Sequence, residues 1–225
     1  MTFHGRPYTT RRRENPGRII SVLVAAVLVV LTTLLVATPL AISSPGWPAP
    51  QNISASITAN YTPQIALDAW GSPHVVWTGQ DGTTSRIYYS ENTGSGWSAP
   101  ENISGTLPGS PVDDKLPQIA LDDDGNPHVT WTGNDGAVRR IYYSGRNAVG
   151  VWQPLEIVSG AGPTPTNNSS PQMALDNDGN PHVTWTGQDG SGVDRTYYSE
   201  KTGAVWPPPN SISGTNPTPT ENKEP

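Results

Sequence analysis

The chain has 225 residues, a formal net charge of −6 and no cysteine, with 23 glycines and 24 prolines against a hydrophobic fraction of 34%. The absence of cysteine excludes disulfide bonds, thiol nucleophiles and thiolate metal sites. Five arginines but only one glutamate precede residue 19, so the rest of the chain carries the negative charge. Nucleic-acid binding requires clustered Lys and Arg, and we exclude it for this acidic part.

The amino-terminal part predicts a membrane anchor. Residues 1–18 form a basic tail, and residues 19–42 are 24 positions without a charge. A helix of that length spans about 36 Å, enough for a hydrocarbon core of about 30 Å. The positive-inside rule places the tail in the cytoplasm and the remainder outside. We predict a single-pass signal-anchor helix at the cell membrane; the alternative is a signal peptide cleaved at Ala41-Ile42-Ser43, although such apolar cores usually have about 7–15 residues.

Residues 43–213 contain one sequence repeated three times. The motif Pro-Gln-(Ile/Met)-Ala-Leu-Asp begins at Pro63, Pro117 and Pro171, and the two intervals are equal. Each copy continues with Pro-His-Val, Trp-Thr-Gly, Asp-Gly and Tyr-Tyr-Ser. The copies therefore occupy about 63–116, 117–170 and 171–224, and residues 47–54 match the last strand of a copy and predict an extra amino-terminal strand.

Each copy predicts four short strands separated by turns. Asp-Gly is a strong hairpin signal, and the connections are too short for crossover helices, so the strands form an antiparallel meander. The second and third strands are apolar on both faces, as in a sheet packed between neighbours in a repeat array. We predict an all-β fold of tandem four-stranded antiparallel blades of an incomplete β-propeller. The alternative is a β-trefoil, which also contains three repeats of four strands.

The turn after the third strand of the first copy carries a family resemblance. It has Ser90, Asn92, Gly94 and Trp97 at the spacing Ser-x-Asn-x-Gly-x-x-Trp. This resembles the Asp-box of sialidase-type propellers, the bacterial neuraminidase repeat, with Asn92 in place of Asp. The resemblance implies a propeller in which this turn joins the third and fourth strands of a blade. It also implies an alternative function, a fragment of a sialidase-like glycoside hydrolase.

Two sets of repeated side chains suggest metal sites. Closely spaced carboxylates suit Ca²⁺, and the candidates are Asp122, Asp124, Asp176 and Asp178. A hairpin turn explains the same residues, because no bidentate Glu follows. The histidines His74, His128 and His182 occupy one equivalent position in successive copies, which separates them too widely to share an ion. We interpret each histidine as a cap at the start of the second strand and assign no metal or cofactor.

Repeated charged residues near the hairpin between the second and third strands are the candidate ligand-binding residues. They are Asp81, Asp135, Asp189, Arg86, Arg140 and Arg195. Links between blades and these hairpins share the face of a propeller that usually binds ligands. Catalysis requires an asymmetric set of nucleophile, base and orienting group, and the copies are nearly identical. We therefore assign no catalytic residue and predict that the chain is not an enzyme.

The sequence thus predicts a membrane-anchored, extracytoplasmic module that binds or scaffolds a protein or carbohydrate ligand. Residues 214–225 align with the link between the second and third copies, so we predict an inter-blade link that is cut in mid-repeat. Three blades leave open sheet edges. The missing blades would come from further sequence or from a homo-oligomer that completes the propeller.

Overall fold

The computed structural model describes residues 48–105, 112–162 and 165–214, and these contain twelve strands and no helix. The first sheet, blade 1, comprises β1 (Thr58–Leu67), β2 (Pro73–Asp81), β3 (Thr84–Glu91) and β4 (Glu101–Asn102). Blade 2 comprises β5 (Asp113–Leu121), β6 (Pro127–Asn134), β7 (Arg139–Gly145) and β8 (Glu156–Ile157). Blade 3 comprises β9 (Thr166–Leu175), β10 (Pro181–Gln188), β11 (Asp194–Glu200) and β12 (Asn210–Ser211).

Each blade is an antiparallel meander in which the strands pair in chain order. The first strands of successive blades contact one another, β1 with β5 and β5 with β9. One cavity is lined by all three of these strands. The sheets are therefore arranged side by side around a common inner side, as in a propeller, and the β-trefoil alternative is wrong.

The core lies between the blades, which explains why the second and third strands are apolar on both faces. Val76, Ile87 and Tyr89 of blade 1 form one cluster with Trp131 and Tyr142 of blade 2. The interface between blades 2 and 3 has the same construction. It contains Ile141, Tyr143, Val158, Val183, Trp185 and Tyr197.

A buried tryptophan in the second strand of each blade is held by a polar side chain of the first strand. Trp77 Nε1 donates to Asn60 Oδ1 at 2.8 Å, and Trp185 Nε1 donates to Asn168 Oδ1 at 2.8 Å. Blade 2 has a carboxylate at this position, and Trp131 Nε1 donates to Asp114 Oδ1 at 2.9 Å. Buried indole N–H groups need such acceptors, because an unpaired buried donor is costly.

The predicted amino-terminal strand differs from the structure. Residues 48–54 form no strand, yet Ile53 packs against the core of blade 1. Ser54 Oγ accepts a hydrogen bond from Asn60 Nδ2 at 3.1 Å. Between blades 1 and 2, the equivalent serine, Ser104, donates a hydrogen bond from Oγ to Asp114 Oδ2 at 2.7 Å. Asp114 is the residue equivalent to Asn60. The segment thus takes the place of the end of a preceding fourth strand, and among the described residues no third strand lies beside it.

The predicted membrane span, residues 19–42, and the basic tail before it lie outside the described residues. So does the predicted inter-blade link after residue 214. Within the described ranges, the structure contains no helix that is long and apolar enough to cross a membrane.

Candidate functional site

The first strands of the three blades together line one cavity of about 350 Å³, which we call the axial cavity. Its lining residues are Thr62, Gln64, Leu116, Pro117, Gln118, Ser170, Pro171 and Gln172. The three glutamines occupy the same position in the three copies of the repeat. None of the lining residues is charged, and three amides with two hydroxyls supply both donors and acceptors. The lining therefore suits a neutral ligand rich in hydroxyl groups.

The backbone at the entrance to this cavity is strained in all three blades. Thr62, Leu116 and Ser170 have φ values of 50°, 56° and 54°. Each of them precedes a proline, although residues before proline favour extended backbone. Non-glycine residues in this region cost on the order of 1–3 kcal/mol, and such strain clusters at functional sites. The same distortion in all three copies indicates that it is a property of the repeat.

The strain coincides with irregular strand pairing. The register of β1 against β2 shifts between Tyr61 and Gln64, and that of β5 against β6 shifts between Lys115 and Gln118. β9 shows a shift in the same place. A β-bulge bends its strand and changes where side chains point. The bulges explain how one strand both pairs with its sheet and lines the axial cavity.

The copies differ in chemistry immediately beside the bulges, at positions that we call the rim. The residue before the strained one is Tyr61, Lys115 or Ser169. The residue directly before the repeated arginine of the third strand is Ser85, Arg139 or Asp194. Tyr61 and Ser85 are joined by a 3.1 Å hydrogen bond between their hydroxyl groups. Lys115 pairs with Asp113 at 2.7 Å. Equivalent positions of the three blades therefore carry different functional groups at the rim, although the backbone around them is the same.

A second cavity of about 250 Å³ adjoins the axial cavity between blades 2 and 3. Its lining residues are Arg139, Asn167, Ser169, Ser170, Thr186, Gln188 and Asp194. Ser170 lines both cavities, which makes them neighbours. Asn167 Nδ2 donates to Gln188 Oε1 at 2.7 Å, so a hydrogen bond between two amide side chains lies in the lining of this rim cavity. The rim cavity contains the charged side chains Arg139 and Asp194, whereas the axial cavity has an uncharged lining.

Two of the predicted ligand-binding aspartates pair with an arginine of their own blade. Arg140 Nε donates to Asp135 at 2.9 Å, and Arg195 Nε donates to Asp189 at 3.1 Å. Arg86 of blade 1 pairs with the buried Asp114 of blade 2 at 3.2 Å. None of these six predicted residues lines the axial or the rim cavity. Ligand binding by these residues stays a prediction.

Two of these aspartates also organise their own hairpins. Asp135 Oδ1 accepts hydrogen bonds from the backbone N–H groups of Val138 and Ala137 at 2.8 and 2.9 Å. Asp189 Oδ1 accepts from the backbone of Val193 and Ser191 in the same way. These backbone bonds lower the pKa of both carboxyl groups, with the arginines adding to the effect. The carboxylates therefore stabilise the turns.

The calcium candidates are used in turns between the first and second strands. Asp122 Oδ1 accepts from the backbone N–H groups of Asn126 and Asp124 at 2.7 and 3.1 Å, and Asp176 makes the equivalent bonds to Asn180 and Asp178. Among the described residues, no three His, Cys, Asp or Glu side chains come together in a way that would hold a metal ion.

The three histidines each contact a tyrosine of the third strand. Nδ1 lies 2.7 Å from the hydroxyl oxygen in the pair His74–Tyr89, and 2.6 Å from it in the pair His128–Tyr143. His182 makes the same contact with Tyr198 at 2.8 Å. Each histidine thus crosslinks two strands within its own blade, in agreement with a structural role at the start of the second strand.

Sequence reasoning identified the repeat but missed the glutamines as site residues. Gln64, Gln118 and Gln172 belong to the motif that defines the repeat, in which a glutamine recurs between a proline and an Ile or Met. The rim residues lie where the copies differ, so they are not part of the repeated motif. Two features of the sequence point to the site: a glutamine that recurs in every copy and a local loss of similarity between the copies.

No protein-family model matches the chain, and no curated protein matches it in sequence. Solved structures do resemble it. A protein of unknown function from Dyadobacter fermentans superposes with a TM-score of 0.50 at 13% identity, covering 70% of this chain and 55% of its own. An α-L-arabinofuranosidase from Podospora anserina, in complex with cellotriose, gives 0.45 at 15% identity, covering 74% and 55%. A family 117 glycoside hydrolase from Zobellia galactanivorans gives 0.46 at 13%, covering 69% and 55%.

The chain spans about half the length of these structures. At such low identity the likeness concerns the fold alone, which is propeller-like. Glycoside hydrolases recur among the similar structures. This finding contradicts the prediction that the chain is not an enzyme. Nothing specific to sialidases is found, so the resemblance to that family holds only as a propeller-like fold.

Proposed function

We propose that the chain supplies three blades of a carbohydrate-active propeller and that the axial cavity and its rim receive the sugar. The observation that supports this most directly is the convergence of Gln64, Gln118 and Gln172 on one uncharged cavity of about 350 Å³. Amide groups both donate and accept hydrogen bonds, as sugar hydroxyls do. Specific sites combine a few convergent polar groups in a concave cavity.

The strained backbone supports the same proposal. Three residues held at positive φ must be stabilised by their surroundings, and the bulges that they form carry the glutamines of the axial cavity. Glutamines held by strands bind a ligand with less loss of side-chain freedom than glutamines on mobile loops. The rim then supplies selectivity, since its groups differ from blade to blade.

Cleavage of a glycosidic bond normally uses two carboxyl groups, one on each side of the bond. Asp194 is the carboxylate among the described residues that line the axial and rim cavities. We propose it as the residue through which hydrolysis is tested. A second carboxylate would then come from the part of the propeller that these three blades do not form.

The test is calorimetric titration of the full chain with neutral oligosaccharides, cellotriose first, together with a chromatographic search for cleavage products. Gln118→Ala is expected to weaken binding by about tenfold, because one or two hydrogen bonds worth roughly 1 kcal/mol each are lost. Thr84→Ala is the matched control, since Thr84 lies on blade 1 outside both cavities. Equal affinity of Gln118→Ala and the natural chain for every sugar bound would remove the axial cavity from the proposal.

Asp194→Asn separates binding from cleavage. Loss of product with binding retained assigns Asp194 to catalysis. If the natural chain binds a sugar and releases no product, the three blades act as the binding part of the propeller.

The extracytoplasmic, membrane-anchored location is also a proposal. It rests on the sequence alone, through the apolar residues 19–42 and the basic tail before them. An exported module would meet carbohydrate outside the cell, which is compatible with the proposed ligand class.

A further inference from the structure

Successive blades are joined by a repeated contact between aromatic and charged side chains. Trp152 of blade 2 lies edge-on to Tyr89 of blade 1, with ring centroids 5.3 Å apart. The guanidinium carbon of Arg146 lies 5.5 Å from the centroid of the same tyrosine ring. Blade 2 therefore contributes a tryptophan and a cation to one tyrosine of the blade before it.

Blade 3 repeats the contact on blade 2. Trp206 lies edge-on to Tyr143 at 5.4 Å, and Lys201 Nζ lies 5.2 Å from the centroid of that ring. The equivalent positions thus carry Arg in one interface and Lys in the other, and both give a cation–π contact. Repetition with a different cation indicates that the charge, rather than one particular side chain, is what the interface requires.

A carboxylate of the earlier blade completes each contact. Arg146 pairs with Glu91 at 3.0 Å, and Lys201 pairs with Glu156 at 2.7 Å. Both tyrosines are thereby buried, with 1% of Tyr89 and 4% of Tyr143 exposed. The two acids lie on different strands, Glu91 at the end of β3 and Glu156 in β8. Each interface nevertheless joins a tyrosine and an acid on one blade to a tryptophan and a cation on the next.

The outer face of blade 3 carries a tyrosine and an acid, as the earlier blade does in each interface. No described blade packs against this face. Tyr198 is the equivalent tyrosine, and its hydroxyl donates to Glu200. The neighbouring His182 has a side chain that is 33% exposed, against 7% for His74 in blade 1. A cavity of about 200 Å³ lies here, lined in part by His182 and Glu200.

We propose that this face, formed by Tyr198, Glu200 and His182, is a docking surface for a further blade of the same repeat type that brings a tryptophan and an Arg or Lys. Charge complementarity selects this occupant, because Glu200 holds the position in the repeat at which Glu91 pairs with Arg146. A second copy of this chain would present blade 1, which has the neutral Asn92 at the position of the cation. Ile53 and Ser54 already occupy the place on blade 1 where the end of a preceding blade would lie.

The experiment lengthens the full chain in register. Pro225 follows Pro171 by one full repeat, just as Pro171 follows Pro117. The sequence of residues 118–162 added after Pro225 therefore supplies a fourth blade with the equivalents of Arg146 and Trp152. Hydrogen exchange of the β10 and β11 amides is expected to slow by a factor of about 5–30, the effect of one or two kcal/mol of added stability. Unchanged exchange in a folded fourth blade would overturn the proposal.

Charge reversal gives the sharper readout. Glu200→Lys in the lengthened chain should restore fast exchange, and adding Arg→Glu at the Arg146 position of the fourth blade should slow it again. Trp→Ala at the Trp152 position is the matched variant without a charge change, and it should also restore fast exchange. A failure of the charge-reversed pair to recover protection would overturn the role of Glu200.

Sedimentation of the natural chain tests the other occupant, since a dimer broken by Glu200→Lys would assign the face to a second copy.

Discussion

At the residue scale, Asp114 is the position where the repeated core differs most in chemistry. The equivalent residues are Asn60 and Asn168, and all three accept a hydrogen bond from the buried tryptophan of their blade. Asp114 is fully buried and also accepts from Ser104, and Arg86 of blade 1 pairs with it. Replacing one partner of a buried ion pair destabilises a protein, because the other charge is left uncompensated. Replacing both partners by neutral residues often has little effect on stability.

Burial raises the pKa of Asp114 from 3.8 to about 6, although hydrogen bonds from Ser104, Trp131 and Arg86 act in the opposite direction. Between these two pH values the folded state holds a proton that the unfolded state has released. The contribution of Asp114 to the free energy of unfolding is therefore fully present below pH 3.8 and is lost as the pH rises through about 6. Asp114→Asn should remove this slope, which thermal melts between pH 4 and pH 7 will measure.

The matched control for this prediction is Asp113→Asn. Asp113 is the neighbouring carboxylate, it pairs with Lys115 near the surface, and its side chain is 40% exposed. This variant should leave the pH dependence of the melting temperature close to that of the natural chain. An unchanged slope in Asp114→Asn would mean that another group titrates in this range.

At the element scale, the strained bulges of the first strands predict an unusual response to glycine. Leu116 has a φ of 56° and is 36% exposed. Glycine adopts positive φ without penalty, and this gain offsets its greater loss of backbone entropy on folding. Leu116→Gly should therefore leave the melting temperature unchanged or raise it, although it removes an apolar side chain.

Lys115→Gly is the control for the bulge, because Lys115 is the exposed neighbour without a positive φ. Glycine there should cost about 0.5–1 kcal/mol, as in any strand interior. If both variants lowered the free energy of unfolding by the same amount, the backbone at Leu116 would not be strained.

The second strand predicts the largest single loss of stability. Trp131 is fully buried and packs with residues of both blade 1 and blade 2. Trp131→Ala should cost about 3–5 kcal/mol, because a large cavity opens between two blades and Asp114 loses a hydrogen-bond donor. Trp70→Ala is the control, since Trp70 is 81% exposed. Equal melting temperatures of the two variants would contradict the packing described between the blades.

At the scale of the whole molecule, the direction of the chain across a membrane stays a prediction of the sequence. The basic residues before the apolar span should remain in the cytoplasm, and the blades should lie outside. A reporter that is active only outside the cytoplasm, fused after Pro225, is therefore expected to be active. Activity of a cytoplasmic reporter alone at the same site would reverse the topology.

The sequence by itself determined the repeat, the four strands of each copy and their antiparallel order. Turn-forming pairs such as Asp-Gly act locally, and the apolar character of strands such as β2 can be read residue by residue. The burial of Trp77, Trp131 and Trp185 agrees with the predicted second strand that is apolar on both faces, because large apolar residues in such a strand are mostly buried.

The tertiary structure decided which of the repeated groups face one another. Gln64, Gln118 and Gln172 lie a whole repeat apart along the chain, and only the arrangement of three blades brings them to one cavity. Arg86 pairs with Asp114 across the interface between blades 1 and 2, and this contact depends on how the two blades pack. Local sequence fixes strands and turns through short-range forces, whereas contacts between blades depend on the packing of one copy against the next, which no single copy contains.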